Sequence, residues 1–374
     1  MKPQPAPGGY RPKVIICSPA LDAVSGVSTH AGLLFGSALR DDFELLHFQV
    51  GSEGRQENRA GTILRLLLSP LQLARLILRQ RPAIVHLNTS MDHRAYWRDS
   101  VLLLVAKLLR VKVLQQVHGG AMPAEMYPRH ALRAALLKRF LRASDVVSIL
   151  SRVEEAAYQA FCPEACLMRI PNAIDCAPPP EGLRKRTQNA PLRLIYIGRL
   201  IAEKGLFDIL TALTLLRERG RTLQLDIAGN GTAQPALMAQ IALQKLDDVV
   251  HFHGPVAGTD KARLWHSADV LVFPTYHPEG LPYALLEAMA AGTPPITCAV
   301  GAIPDVMQHG VHGLFVMPHD SAMLADAIVR LDDDRTLLEA MRQACRDRVA
   351  SAFSVERLAR DFNALYVAML NQPA

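Results

Sequence analysis

FPTYHPEGLPYALLEAMAAGTPPIT, Phe273–Thr297, is the most informative stretch of this 374-residue sequence. An apolar run, Val270–Phe273, reads as a buried parallel strand that ends near Pro274. A polar loop follows. Pro282 is then well placed as the first residue of a helix, Pro282–Ala291, because its missing N–H would lack a partner there anyway. A second apolar run, Pro295–Cys298, reads as the next strand. Glu279 lies in the loop and Glu287 inside the helix, with seven residues between them. The first turn leaves backbone N–H groups free at Leu281, Tyr283 and Ala284, and the helix dipole adds partial positive charge. Phosphate oxygens bind readily at such an end. Two flanking carboxylates are wrong for holding phosphate but right for vicinal hydroxyl groups, because an ionised carboxylate accepts two hydrogen bonds.

Working outward, the same alternation fills the chain. Strands are expected in the first half at Val14–Cys17, Phe43–Val50, Ile84–Leu87, Val111–Val117 and Val146–Leu150, with helices at Thr62–Arg79, Tyr96–Arg110 and Ala131–Arg142. The second half offers strands at Leu192–Ile197, Gln224–Ala228, Val249–Phe252, Val270–Phe273, Pro295–Cys298 and Leu314–Val316. Its helices fit Gly205–Arg219, Ala233–Gln244, Lys261–Ala268 and Ser321–Leu331, and a helical tail runs from about Leu337 to Leu370. Such alternation predicts two Rossmann-like, doubly wound parallel-sheet domains. They span residues 1–176 and 192–350, joined by a proline-rich linker at 177–191, with a tail at 351–374 that returns to the first domain. Ligands of open α/β sheets lie beyond the carboxyl ends of the strands, so a cleft between the two domains is the expected place for chemistry.

Half of the residues are apolar and a fifth are charged, an ordinary globular balance. The six cysteines are scattered, and only Cys162 and Cys166 are close, so no zinc spacing is completed. Free thiols in a reducing compartment fit this pattern. No apolar run approaches the ~20 residues of a membrane span, and the proline-rich start lacks a signal peptide's apolar region. A cytoplasmic chain is expected. Residues 1–180 carry 22 basic against 14 acidic side chains, and the remainder 19 against 21. The first half is therefore expected either to meet something anionic or to carry its arginines on solvated helix faces. Nothing points to nucleic acid. The segment Ala60–Arg81 places leucines and isoleucines at near-helical spacing among Arg65, Arg75, Arg79 and Arg81, with Pro70 expected to split it. A basic amphipathic helix of this kind can lie in a membrane interface, its arginines on anionic headgroups, or bury its leucine-rich face against a sheet.

The segment around Glu279 and Glu287 resembles the E-x7-E motif of retaining glycosyltransferases with the GT-B fold, particularly family 4. Further stretches match in order: YIGRLIAEKG (Tyr196–Gly205), DIAGNG (Asp226–Gly231), FHGPV (Phe252–Val256), ADVLVFPT (Ala268–Thr275) and GAIPDVMQHGVHGLFV (Gly301–Val316, with Asp305 where a Glu is usual). The likeness covers nearly all of 192–320. It is weaker over 1–176, where SGVSTH (Ser25–His30), HLN (His86–Asn88), HGG (His118–Gly120) and IPNAID (Ile170–Asp175) match, and Ser25 replaces a frequent second glycine.

Carried over residue by residue, the resemblance gives Glu287 the donor ribose hydroxyls and Glu279 the hydroxyls of the transferred sugar. Gly280, Leu281, Pro282, Tyr283 and Ala284 meet sugar and diphosphate, with Gly198 and Gly26 in loops that approach the donor closely. Arg199 and Lys204 balance the diphosphate charge, and His118 contacts the donor sugar. The resemblance implies metal-independent, cofactor-free transfer of a hexosyl unit, with retention, from a nucleoside diphosphate sugar to a saccharide or lipid-linked acceptor. A catalytically inactive scaffold of the same fold is the alternative, disfavoured by intact Glu279, Glu287, Arg199 and Lys204. A dinucleotide oxidoreductase needs G-x-G-x-x-G, yet after Gly229 and Gly231 position 234 is Gln. An epimerase lacks spare carboxylates. His251 and His253 alternate along a strand, and Asp332–Asp334 reads as a solvated charge run.

Overall fold

Twelve short apolar runs pair into two parallel sheets in the computed structural model, which describes residues 11–23, 25–55, 57–176, 190–277 and 279–372. The first sheet takes β1 (Lys13–Ser18), β2 (Glu44–Gln49), β3 (Ile84–Met91), β4 (Lys112–Gly120), β5 (Val146–Ile149) and β6 (Leu167–Arg169), in the order β2-β1-β3-β4-β5-β6. The second takes β7 (Arg193–Ile197), β8 (Gln224–Ala228), β9 (Val250–Gly254), β10 (Val270–Phe273), β11 (Pro295–Cys298) and β12 (Leu314–Val316), in the order β12-β11-β10-β7-β8-β9. Helices cross between successive strands, so both sheets are doubly wound.

The chain divides into two compact units, Met1–Ala173 with Val355–Ala374, and Ile174–Ser354. Most of the expected linker, 177–189, lies outside the described residues. The side-chain period of two divides the first unit's core. Val14 and Ile16 of β1 face one layer, with Ile84 and Leu114, while Ile15 and Cys17 face the other, with Val85 and Val113.

Helix Val355–Asn371 closes the first of these layers with Leu358, Phe362, Leu365, Tyr366 and Met369, all buried. The tail is therefore not one helix from Leu337 to Leu370. It is two, Arg335–Ala352 and Val355–Asn371. Phe353 leaves the helical path to bury its ring, and its carbonyl accepts the Ile174 N–H at 2.8 Å.

Pro70 does not split its helix either: Arg59–Gln80 is continuous. A proline forfeits one intrahelical bond, but the Asn58 side chain caps the start at Gly61 N–H (2.8 Å), and Leu73 and Ile77 anchor the far half in the core. Unbroken, Ala60–Gln80 is long and apolar enough, by length and composition, to cross a membrane. This corrects the expectation from run lengths, which treated the arginines and Pro70 as interruptions. β6 and the helix Arg152–Phe161 have no counterpart in the sequence reading.

Candidate active site

In the second sheet the strand order reverses between β10 and β7, and the loops after these two strands leave side by side at their carboxyl ends. Gly205, at φ +76°, makes their contact possible, because a Cβ there would collide with the carbonyl of Pro274. The loops are laced by backbone bonds: Tyr276 and His277 N–H both donate to the Glu203 carbonyl at 3.0 Å. This brings the Lys204 ammonium onto Oε1 of Glu279, where the Thr275 hydroxyl also donates at 3.0 Å. Lys204 Nζ lies 5.0 Å from the centre of the Phe273 ring. A third loop holds Glu279 from behind. Ala302 N–H donates to its carbonyl at 3.1 Å, and Gly301, at φ +53°, leaves room for that carbonyl.

Both side chains of the pair are nearly buried, Lys204 at 11% and Glu279 at 9% exposure. Lys204 and Thr275 both donate to Oε1, and Glu279 Oε2 has no donor among the described residues. Arg199, by contrast, is exposed; its backbone carbonyl accepts the Tyr196 hydroxyl at 2.8 Å, and its guanidinium pairs with no carboxylate among the described residues. Gly198 lies against the Tyr196 ring at the end of β7. Burial, and then the Glu279 charge, pushes the Tyr196 phenol well above its ordinary range.

The helix after β10 is Tyr283–Ala291, so Pro282 is its N-cap and not its first residue. The shift follows from backbone geometry. Pro282 has ψ 125°, outside the helical range, while its carbonyl already accepts the Leu285 N–H at 3.1 Å. The N–H groups of Tyr283 and Ala284 precede the first intrahelical bond, and they follow Gly280 and the buried Leu281 in the same loop. One turn on, Glu287 accepts from Lys261 Nζ at 2.6 Å and Trp265 Nε1 at 3.1 Å, both on helix Gly258–Ser267. Neither partner was predicted. Only the doubly wound topology, which sets the helices flanking β10 together, could have signalled them. The Tyr283 hydroxyl is buried without a partner among the described residues, and burial followed by the Glu287 charge raises its pKa.

Gly26 and His118 belong to the first unit. Gly26 opens helix Gly26–Gly36, capped by the Ser25 hydroxyl accepting from Ser28 N–H at 3.2 Å. His118 ends the apolar part of β4, before Gly119 and Gly120 at φ +82° and +108°. Its tautomer follows from the bonding. Asn88 donates its amide N–H to the Cys17 carbonyl at 3.1 Å, so its oxygen must accept, and His118 Nε2 donates to it at 2.8 Å. Nδ1 then carries the lone pair. Burial pushes the His118 pKa down to about 3, so the ring is neutral. His30, fully buried, lies edge-on at 4.7 Å between ring centres.

Other expectations change in detail. Asp332 and Asp333 pair with Arg221, and Asp334 caps the helix Arg335–Ala352 at Leu337 N–H, so this run is structural and not merely solvated. His253 donates to Asp226 at 2.7 Å, which also holds Arg193.

The class follows from the architecture. Two parallel-sheet units of this topology are those of the GT-B fold, and Anabaena Alr3699/HepE, solved with UDP and glucose, matches with a TM-score of 0.73. That likeness covers 96% of this chain and 100% of the other at 17% identity, and it is a likeness of fold. Residues 191–334 match Glycosyl transferases group 1, and residues 36–178 match Glycosyltransferase Family 4. The chain is 32% identical over 263 residues to the GDP-mannose-dependent alpha-(1-6)-phosphatidylinositol monomannoside mannosyltransferase of Mycobacterium tuberculosis, covering 66% of this chain and 67% of that one. It is also 32% identical over 241 residues to the glycogen synthase of that organism, covering 64% of this chain. That match spans only 57% of the synthase's length. The chain belongs to the group 1 and family 4 glycosyltransferases.

Proposed function

We propose that the protein transfers a hexosyl unit from a nucleoside diphosphate sugar to a saccharide or lipid-linked acceptor, with retention at the anomeric carbon and without a metal ion. The observation that carries this reading is Glu279, fixed by Lys204 and Thr275 through one oxygen while the other has no donor among the described residues. Close by in sequence follow the first-turn N–H groups of Tyr283 and Ala284, which suit diphosphate oxygens. Arg199 adds a positive charge with no carboxylate partner among the described residues. Glu287 already holds two donors, yet a carboxylate has about four acceptor positions, leaving room for ribose hydroxyls.

In the proposed reaction the bond from the anomeric carbon to the diphosphate breaks as the acceptor oxygen bonds to the same face. The acceptor's proton passes to the departing phosphate oxygen. Negative charge grows on the leaving group, and fixed donors aimed at it lower the barrier. His118, a neutral ring, is suited to hydrogen bonding with the donor sugar. Incubation with UDP-, GDP- and ADP-sugars, followed by proton NMR of the anomeric signal, tests the reading. A product of inverted configuration, or no binding or turnover of any such donor, overturns it.

We further propose a cytoplasmic location with peripheral attachment to an anionic membrane surface. On helix Arg59–Gln80, Leu67 and Leu71 are 68% and 67% exposed, with Ile63, Leu64 and Leu78 also uncovered. The neighbouring helix His93–Leu108 adds Leu104 and Leu108, the latter at 72%. Exposed Arg75, Arg79 and Arg81 supply the charge that anionic headgroups would meet. Leu73 and Ile77 remain in the core, which suits a helix lying on the surface.

A further inference from the structure

At the carboxyl end of β2 the first unit has a half-open cavity of about 220 Å³. Its walls come from Gln49–Gly51 at the end of β2, from Arg55 and Glu57 beyond it, from the first half of helix Arg59–Gln80, and from Arg98 on helix His93–Leu108. Three guanidinium groups, of Arg55, Arg65 and Arg98, line it together with the carboxylate of Glu57.

The bonding leaves donors to spare. Arg65 gives only Nε to Glu57, at 2.9 and 3.2 Å, so its two terminal nitrogens have no acceptor among the described residues. Its side chain is nonetheless only 12% exposed. Arg55 stands 3.7 Å from the same carboxylate. Arg98 gives Nε and Nη2 to the buried Asp99 at 2.6 and 2.8 Å, and that leaves Nη1. This last nitrogen faces Gly51, where an added Cβ would lie 3.0 Å from it. Three arginines thus meet two carboxylates, and the unused N–H groups sit in a half-enclosed space where water screens charge poorly. Forked guanidinium donors match the oxygens of phosphate or carboxylate.

We propose that this cavity binds an anionic group, phosphate or carboxylate, carried by the acceptor. Arg65 and Arg98 grip the oxyanion and Arg55 stands beside them. Leu64 and Leu68, which line the same cavity, are exposed residues of the apolar helix face and would meet an attached alkyl chain. The word acceptor rests on the glycosyltransferase reading, since the donor diphosphate is assigned to the second unit.

Calorimetric titration of the full chain with inorganic phosphate, decyl phosphate and glucuronate tests the assignment. Saturable binding of decyl phosphate or glucuronate is expected, weakened about tenfold or more in Arg65→Gln, with Arg65→Lys intermediate. Decyl phosphate as the tightest ligand identifies a lipid phosphate as the source, and glucuronate an acidic saccharide. Binding of inorganic phosphate alone, no binding of any probe, or affinities unchanged in a folded Arg65→Gln protein overturns the proposal. Titration with UDP separates the two readings. A chain that binds UDP but none of the anions keeps its donor site and loses this one, whereas the reverse result removes the donor assignment and leaves the anion site standing.

Discussion

Lys204 and Glu279, 75 residues apart in the chain, form an ion pair that joins the loops after β7 and β10. The lysine therefore holds a carboxylate, in addition to the diphosphate contact that the resemblance implies for it. Glu279→Ala should reduce turnover on the order of 10²-fold or more through lost orientation of the transferred sugar. Lys204→Ala should lower kcat by loosening the same carboxylate. The double variant should then fall little below the worse single one, because the two act as a unit. Steady-state kinetics on the four proteins decides this; fully additive losses would separate the residues.

Glu287 should act on donor affinity. Glu287→Ala is expected to weaken binding of the nucleoside diphosphate by about 1–3 kcal/mol, the scale of lost hydrogen bonds to a charged group and of the ligand groups left unsatisfied. Trp265→Phe, which removes one donor to that carboxylate while keeping a smaller aromatic ring, should raise KM by less, with kcat nearly unchanged. Donor titration and kinetics read both, and wild-type affinity in Glu287→Ala would count against the site.

Activity should survive EDTA, since Arg199 and the first-turn N–H groups supply the positive charge that a metal would bring. Arg199→Ala should lower the rate while circular dichroism stays unchanged. Complete loss with EDTA, restored by Mn²⁺ or Mg²⁺, would contradict this.

Acid should destabilise the first unit through His86 and His118. Burial, then the neighbouring His118, pushes His86 down to about 3, and burial does the same for His118. Between pH 6.5 and 3 the unfolded chain binds these protons and the folded chain does not, so stability rises with pH across that window. At pH 5 each histidine should account for a loss on the order of 2 kcal/mol. Calorimetry across this range should show a falling Tm on acidification, and His118→Gln should flatten the profile. An identical slope in the variant would remove His118 from the account.

Vesicle co-sedimentation tests the exposed helix face. Binding should favour vesicles with anionic lipid, diminish as salt screens the charges, and weaken when Arg75, Arg79 and Arg81 become glutamine. Activity on a soluble acceptor should persist in that triple variant. Equal partition onto neutral and anionic vesicles, or none onto either, would dismiss the surface.

Local signals were legible in several elements that a single apolar run carries, though not in helix Arg152–Phe161. Val270–Phe273, Pro295–Cys298 and Leu314–Val316 are strands with the bounds their apolar runs suggest. What escaped was set by partners distant in sequence. Nothing near Lys204 announces Glu279, because their meeting depends on Gly205 fitting beneath Pro274. Lys261 and Trp265 reach Glu287 only once two helices flank one strand. Three residues, Leu167–Arg169, are too few to show a period, yet they pair with β5 as the edge strand β6. Pro70 misled for the converse reason, a local rule overruled by burial of Leu73 and Ile77.

Helix Val355–Asn371 has a consequence for how the molecule is made. A ribosome delivers Met1–Ala173 first, but the layer containing Val14, Ile16 and Leu114 stays uncovered until Phe362 and Tyr366 emerge, after the whole of Ile174–Ser354. The second unit is continuous in the chain and is free to fold while the first still waits. Assembly order should thus invert synthesis order, and a nascent chain stalled before Val355 should display a protease-resistant second unit beside a protease-sensitive first one.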